Sequence, residues 1–201
     1  MKAVVMFSGG KDCSLSSIIL EPFFDVELVT FAFGILPTES IARKVAAELG
    51  FPHRYIVLDD DILDEACRIM IRDRFPNNAI NYIHRQAMAC LIKEGGFDVL
   101  ADGLRRDDRV PKIELSERKS IEDKNGISYV SPLMGFGRSA INKMLESHLE
   151  IIEEEARVLE KCDYEGGLRA ELNRRLGVEE ADKLFPPSHK QSRVISRIRR
   201  L

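Results

Sequence analysis

The stretch Ser8-Gly9-Gly10-Lys11-Asp12-Cys13-Ser14, directly behind the apolar run Ala3-Val4-Val5-Met6-Phe7, constrains the fold more than any other part of the sequence. A β-branched and aromatic run that ends in two glycines and resumes as Leu15, Ile18 and Ile19 at helical spacing predicts strand, tight turn, helix. The turn then lies at a helix N-terminus. Free backbone N–H groups and the positive end of the helix dipole meet there, and glycine lets an anion reach the backbone without a Cβ in the way. The expectation is a phosphate site.

Two common phosphate motifs are excluded by what is missing. A Walker loop needs four residues between its first glycine and a Gly-Lys-Ser/Thr, whereas Gly10-Lys11 is followed by Asp12; the spaced glycines of a dinucleotide fingerprint are absent as well. The stretch resembles instead the PP-loop, Ser-Gly-Gly-x-Asp-Ser, of the N-type ATP pyrophosphatases, an adenine nucleotide alpha hydrolase-like superfamily. GMP synthetase, NAD synthetase, argininosuccinate synthetase, the tRNA thiolation enzymes and diphthine–ammonia ligase belong to it. The resemblance implies that the loop holds the pyrophosphate of ATP while the α-phosphate is attacked. By position, Ser8, Gly9, Gly10 and Lys11, with Cys13 and Ser14 beside them, would cradle the β- and γ-phosphates. Asp12 would help hold Mg²⁺, and Lys11 and Asp12 would be the catalytic residues. Cys13 departs from the pattern, which usually has serine there. A plain glycine turn with a helix cap uses similar residues; the position immediately after the first strand of an α/β chain favours the nucleotide reading.

A chain of 201 residues with 44% hydrophobic residues can bury one good core and carry an appendage. The division expected is a PP-loop ATP-binding domain over 1–165 and a helical, basic C-terminal extension over 166–201. A net charge of −3 gives no global pull toward nucleic acid or anionic membrane. No apolar run is long enough to span a bilayer and the N-terminus enters a strand without a signal-peptide pattern, so a cytoplasmic protein is expected. Cys13, Cys67, Cys90 and Cys162 form no CxxC pair, which argues against a zinc knuckle, an iron–sulfur cluster or a disulfide framework.

Along the chain, residues 26–33 read as a second strand closed by Gly34, and the resemblance puts adenine against Ala32, Phe33 and Gly34. Residues 39–49 carry the apolar stripe Ile41, Val45, Leu49 and stop at Gly50; 54–58 is a third strand. Asp59-Asp60-Asp61 precedes helices expected at about 62–74 and 79–94, with Asp61 a natural N-cap. Val99-Leu100-Ala101 is a fourth strand. The loop after it runs Asp102-Gly103-Leu104-Arg105-Arg106-Asp107-Asp108-Arg109, and in an open parallel sheet it should face the Ser8–Asp12 loop. PP-loop proteins often have glycine after this strand and an acidic stretch beyond it. The resemblance therefore adds Gly103 to the nucleotide site, makes Asp107 and Asp108 candidates for Mg²⁺, and makes Arg105, Arg106 and Arg109 candidates for phosphate or substrate.

Residues 121–123 and 127–130 around Lys124-Asn125-Gly126 read as a hairpin, with Asn-Gly as its signal. Ser139 is expected to cap a long helix carrying Ile141, Leu145, Leu149 and Ile152; helical patterns follow at about 167–176 and 179–185. The tail holds Lys190, Arg193, Arg197, Arg199 and Arg200 and no carboxylate. Two readings stand side by side: an arm that meets RNA or another anionic substrate through residues such as Lys190 and Arg193, or a terminal helix or strand docked through Val194, Ile195 and Ile198.

The fold expected is a doubly wound, Rossmann-like α/β sandwich with a mainly parallel five-stranded sheet and helices on both faces. The function implied by the resemblance is adenylation of a substrate carbonyl by ATP with Mg²⁺, releasing pyrophosphate, followed by attack of a sulfur or nitrogen nucleophile, as in tRNA modification. The alternatives are an amide-forming ligase on a small molecule or protein residue, and an ATP-binding sensor without turnover. Partners considered are ATP, tRNA or another anionic substrate, and a second copy of the chain in a homodimer, with no membrane.

Overall fold

The computed structural model describes residues 1–108, 113–155, 162–186 and 190–198. The first strand, β1 (Lys2–Met6), is buried from Ala3 onward because it is central in a five-stranded parallel sheet. Its neighbours are β2 (Asp25–Ala32) on one side and β4 (Val99–Ala101) on the other, with β3 (His53–Val57) and β5 (Ser128–Val130) at the edges, in the order β3-β2-β1-β4-β5. All four pairings are parallel. Such pairing needs crossover connections, and these supply the helices. On one face, Val4, Met6, Val29 and Phe31 pack against α3 (Asp60–Asp73), α4 (Pro76–Glu94) and α7 (Tyr164–Leu176). On the other, Ala3, Val5 and Leu28 pack against α1 (Lys11–Leu20), α2 (Thr38–Leu49) and α6 (Arg138–His148). The doubly wound architecture expected from the alternation of strands and helices is the one observed.

Three local expectations are corrected. The hairpin around Asn125-Gly126 does not form: residues Leu115–Asn125 are helix α5, and Gly126 at φ +63° is its left-handed C-cap. Asn-Gly serves a hairpin turn and a helix end equally, because both need positive φ. The helix after Pro132 ends at His148, and Leu149–Glu155 turns instead into strand β6. Asp59, not Asp61, is the N-cap of α3, with Asp60 and Asp61 in its first turn. A short helix α8 (Val178–Asp182) follows α7.

The tail is strand β7 (Lys190–Arg197), antiparallel to β6 in a two-stranded ribbon. Charge contributes to the pairing at one end: β6 reads Leu-Glu-Ile-Ile-Glu-Glu-Glu, and of the β7 cations Lys190 faces a glutamate while Arg193 and Arg197 stand opposite Ile152 and Leu149. Glu155 stands opposite Lys190 in the register. Opposite charges across a ladder each add a few tenths of a kcal/mol, up to ~1 kcal/mol. Arg197 also meets Glu21 of the segment after α1 and lies over the Phe51 ring. Val194 is buried in the core face shared with α1 and α2. The tail is therefore docked as a strand through Val194, whereas Ile195 and Ile198, expected to dock with it, are exposed; Arg199 and Arg200 lie outside the described residues.

Candidate active site

The strand order reverses between β1 and β4, so the loops leaving those two strands flank one crevice at the carboxyl edge of the sheet. The β1 loop turns at Gly9, whose φ of +73° a side chain would resist, and Gly10 stands at the N-cap of α1. Among the described residues no side chain caps α1. Cys13 braces the loop from inside: its sulfur lies 3.5 Å from the Ser8 amide, which donates to it, and its thiol donates to the Gly10 carbonyl at 3.2 Å. Burial pushes the Cys13 thiol up from its ordinary value, and the neighbouring Asp12 charge adds to that, although the Ser8 and Gly10 hydrogen bonds oppose it. The helix N-terminus, which in isolation would lower it, is outweighed. Ser14 is buried and turns its hydroxyl back to the Gly10 carbonyl at 2.8 Å, away from the crevice.

The β4 loop comes against this turn at atomic contact. A Cβ on Gly103 would lie 2.6 Å from the Cys13 nitrogen and 2.9 Å from its Cα, so only glycine fits there. The loop is held by Asp102, 2% exposed, whose carboxylate accepts from the Leu104 amide at 3.0 Å and from the Tyr129 hydroxyl. Arg105 then reaches back, its Nε 3.6 Å from Asp12 Oδ2. Asp108 grips Arg105 through Nε at 3.0 Å and Nη2 at 2.7 Å, and also accepts from the Arg105 amide. Asp107 pairs with Arg106 at the exposed end of the loop. Arg109 lies outside the described residues.

Asp12 is the electrostatic centre of the crevice. Burial drives its pKa up to about 6, with Asp108 and Glu153 adding to the rise, while Arg105 and Lys11 pull the other way. Its Oδ1 is buried and has no hydrogen-bond partner among the described residues. A buried carboxylate oxygen left unsatisfied is costly and calls for a cation or donor. Among the described residues no three acidic, histidine or cysteine side chains gather as a metal cage. Mg²⁺ takes one or two carboxylates and fills its remaining positions with phosphate oxygens and water, so a single carboxylate oxygen without a partner is enough to test against it. Asp12 fits that role; Asp107 and Asp108 are committed to arginines as placed.

The end of β2 looks different from the expectation. Ala32 and Phe33 are buried, and a Cβ on Gly167 of α7 would lie 2.9 Å from the Phe33 ring, so the start of α7 packs directly on that strand end. Gly34, at φ +68°, is the exposed member of the three.

Contacts that the sequence did not point to come from the C-terminal part. The Val194 amide donates to the Gly9 carbonyl at 3.0 Å, and the Cys162 amide to the Ser8 carbonyl at 3.4 Å. The Lys11 amide donates to Ser192 Oγ at 3.4 Å, and the Lys11 ammonium is paired with Glu153 of β6. Lys190 acts on that same Glu153 carboxylate, whereas Arg193 lines a cleft of about 330 Å³ between α2 and β7 with Ser40, Lys44 and Ile195. No local signal marks Glu153 or Ser192, because their role depends on a pairing between segments some forty residues apart. His84, partly buried in α4 and edge-on to Tyr164, has its pKa lowered by desolvation, and its buried Nε2 has no partner among the described residues.

The sequence profile described as "Family of unknown function (DUF7411)" matches residues 1–196. The chain is 39% identical over 196 residues to the uncharacterized protein MJ0690 of Methanocaldococcus jannaschii, covering 97% of this chain and 96% of that one. It is 29% identical over 158 residues to the uncharacterized protein MJ1638 of the same organism, covering 66% and 60% respectively. A crystal structure from Methanocaldococcus jannaschii, described as a predicted subunit of tRNA methyltransferase, is 37% identical and superposes with a TM-score of 0.87 over the whole of both chains. No helix among the described residues is long and apolar enough to cross a membrane.

Proposed function

Because the chain belongs to the DUF7411 family, we propose its activity from the chemistry of its own crevice: ATP-dependent adenylation of a substrate carbonyl with release of pyrophosphate. One observation carries the reading. A glycine turn of PP-loop sequence meets a second loop at the sheet's switch point, around a carboxylate whose buried oxygen lacks a partner. In this reading the Gly9-Gly10-Lys11 backbone and the Lys11 ammonium hold the pyrophosphate as it leaves, and Asp12 holds the Mg²⁺ that neutralises its charge. Arg105 stands 3.6 Å from Asp12, where it meets phosphate or the adenylated oxygen. Adenine lies beside Gly34, the exposed position at the end of β2. The carbonyl oxygen bonds to the α-phosphorus as the bond to pyrophosphate breaks, and a sulfur or nitrogen nucleophile then displaces AMP. The division into an ATP-binding domain over 1–165 and an extension over 166–201 belongs to the same proposal, with the extension contributing β7 to the loop.

The substrate proposed first is tRNA, because a structure 37% identical over the full chain is described as a predicted subunit of tRNA methyltransferase. That description also favours a second reading, a nucleotide-binding subunit that acts only beside a catalytic partner. Pyrophosphate release from ATP and Mg²⁺, measured with and without tRNA, tests both. Release stimulated by tRNA is expected. Tight ATP binding with no pyrophosphate under any condition would leave the subunit reading and remove the enzyme.

Cys13 is not assigned a chemical step. Its thiol is buried and engaged within the loop, where a serine hydroxyl can make the same hydrogen bonds. Cys13→Ser is expected to keep turnover within about twofold, since neither charge nor shape changes much. Loss of turnover with ATP binding intact would show that the sulfur takes part.

A further inference from the structure

The β6–β7 ribbon does more than cover the phosphate loop. Two of the donors that a phosphate would use there are already engaged: the Lys11 amide with Ser192 Oγ and the Lys11 ammonium with Glu153. The ribbon is tied to the same loop by the Val194 amide on the Gly9 carbonyl, and the Ser192 carbonyl lies 3.6 Å from where a Cβ on Gly10 would be. A carboxylate on Lys11 has the charge, and two of the oxygens, that a phosphate would bring.

We propose that Glu153 sets the affinity and selectivity of the loop by competing for Lys11, so that a polyphosphate seats there only by displacing the Glu153 carboxylate. The inference rests on the loop being a pyrophosphate site. Displacement is feasible because Glu153 is held at the surface, its side chain 47% exposed, by one ion pair rather than by burial. Arg138 and Lys190 also act on the same carboxylate and can receive it when it leaves Lys11. Left in place, it would sit against an incoming phosphate, and like charges at that distance repel. The penalty falls only on ligands that use Lys11. ATP and pyrophosphate carry it; AMP, whose single phosphate lies at the reacting end, does not. Glu153 thus narrows the affinity advantage that ATP would otherwise hold over AMP, and speeds departure of the pyrophosphate product.

The test is calorimetric titration of ATP, pyrophosphate and AMP, each with Mg²⁺, into the full chain and its Glu153→Gln variant. Glu150→Gln serves as a control for net charge on the same strand, because Glu150 accepts from Ser196 and not from Lys11. Glu153→Gln is expected to tighten ATP and pyrophosphate about two- to fivefold, the range for removing one partly exposed competing charge, and to leave AMP unchanged. Glu150→Gln is expected to leave all three unchanged. Equal ATP affinity in wild type and Glu153→Gln, or equal tightening by both variants, overturns the competition while keeping the nucleotide site. Absence of ATP and pyrophosphate binding to wild type and both variants overturns the nucleotide reading and the competition with it. Hydrogen exchange gives an independent readout: in the wild type, ATP should raise exchange at residues 150–155 and 190–197 as the ribbon loses its hold on Lys11. Unchanged exchange at saturating ATP would count against displacement.

Discussion

Asp12→Asn should lose about 10²- to 10³-fold in ATP cleavage and yet fold more stably than the wild type at pH 8. The loss follows from removing the charge that would hold Mg²⁺ at the pyrophosphate, with almost no change of shape; deleting one preorganised electrostatic group commonly has this effect. The gain follows from the same burial. With its pKa raised to about 6 from an ordinary 3.8, ionising Asp12 in the fold at neutral pH costs about 3 kcal/mol. An acid whose folded pKa lies above its unfolded value stabilises the fold most at low pH. That contribution is lost as pH rises from about 4 through about 6. The variant's advantage in thermal unfolding should therefore be largest above pH 7 and vanish below pH 4. The wild type's kcat/KM for ATP should fall as pH drops through about 6, since protonated Asp12 of the free protein offers no charge to an incoming cation. An Asp12→Asn protein with near-wild-type pyrophosphate release, or with no stability gain at pH 8, contradicts the role and the burial respectively.

The second large effect is steric. Gly103→Ala puts a methyl group 2.6 Å from the Cys13 nitrogen, against the backbone of Asp12 and Cys13, where no flexible side chain can give way. Overpacking of this kind costs about 1–3 kcal/mol. Either the β4 loop lifts from the glycine turn or the start of α1 shifts. In both cases the Arg105–Asp12 approach at 3.6 Å is lost. The expected result is a lower unfolding midpoint together with at least tenfold weaker ATP binding. A variant with wild-type stability and affinity would mean that the two loops do not meet this closely in solution.

How much of this was legible in the sequence varies with how local the cause is. The Ser8–Ser14 turn, its strand and its helix are set by neighbours in the chain, and they stand where the pattern puts them. The facing of the β1 and β4 loops followed from one step of topology, because right-handed crossovers on either side of a central strand fix where the order reverses. Asn125-Gly126 misled because its φ requirement is shared by two structures. The helix before it, α5, buries none of its residues and so shows no apolar stripe to read. Leu145, Leu149 and Ile152 continue a helical spacing through the point where the chain becomes a strand. There the decisive partner, β7, is tertiary, and tertiary pairing overrides local propensity. The basic tail could be read as an RNA arm because its compensating charges sit on β6, far away in sequence. Asp102, reduced to a strand terminus in the sequence, holds the Leu104 amide and the Tyr129 hydroxyl, and no periodicity announces such a buried anchor.

The seam between Lys11 and Ser192 joins positions 181 residues apart. Synthesis runs from N- to C-terminus, so the glycine turn is made well before the strand that clasps it. During elongation the sheet can assemble from β1 to β5 while Lys11 remains without Glu153 and Ser192. A nascent chain would thus meet cellular nucleotide before it acquires its own competitor, and bound ATP could steady the early sheet by mass action. Completion of β7 is then the step that closes this seam, through the Val194 and Ser192 contacts with the glycine turn.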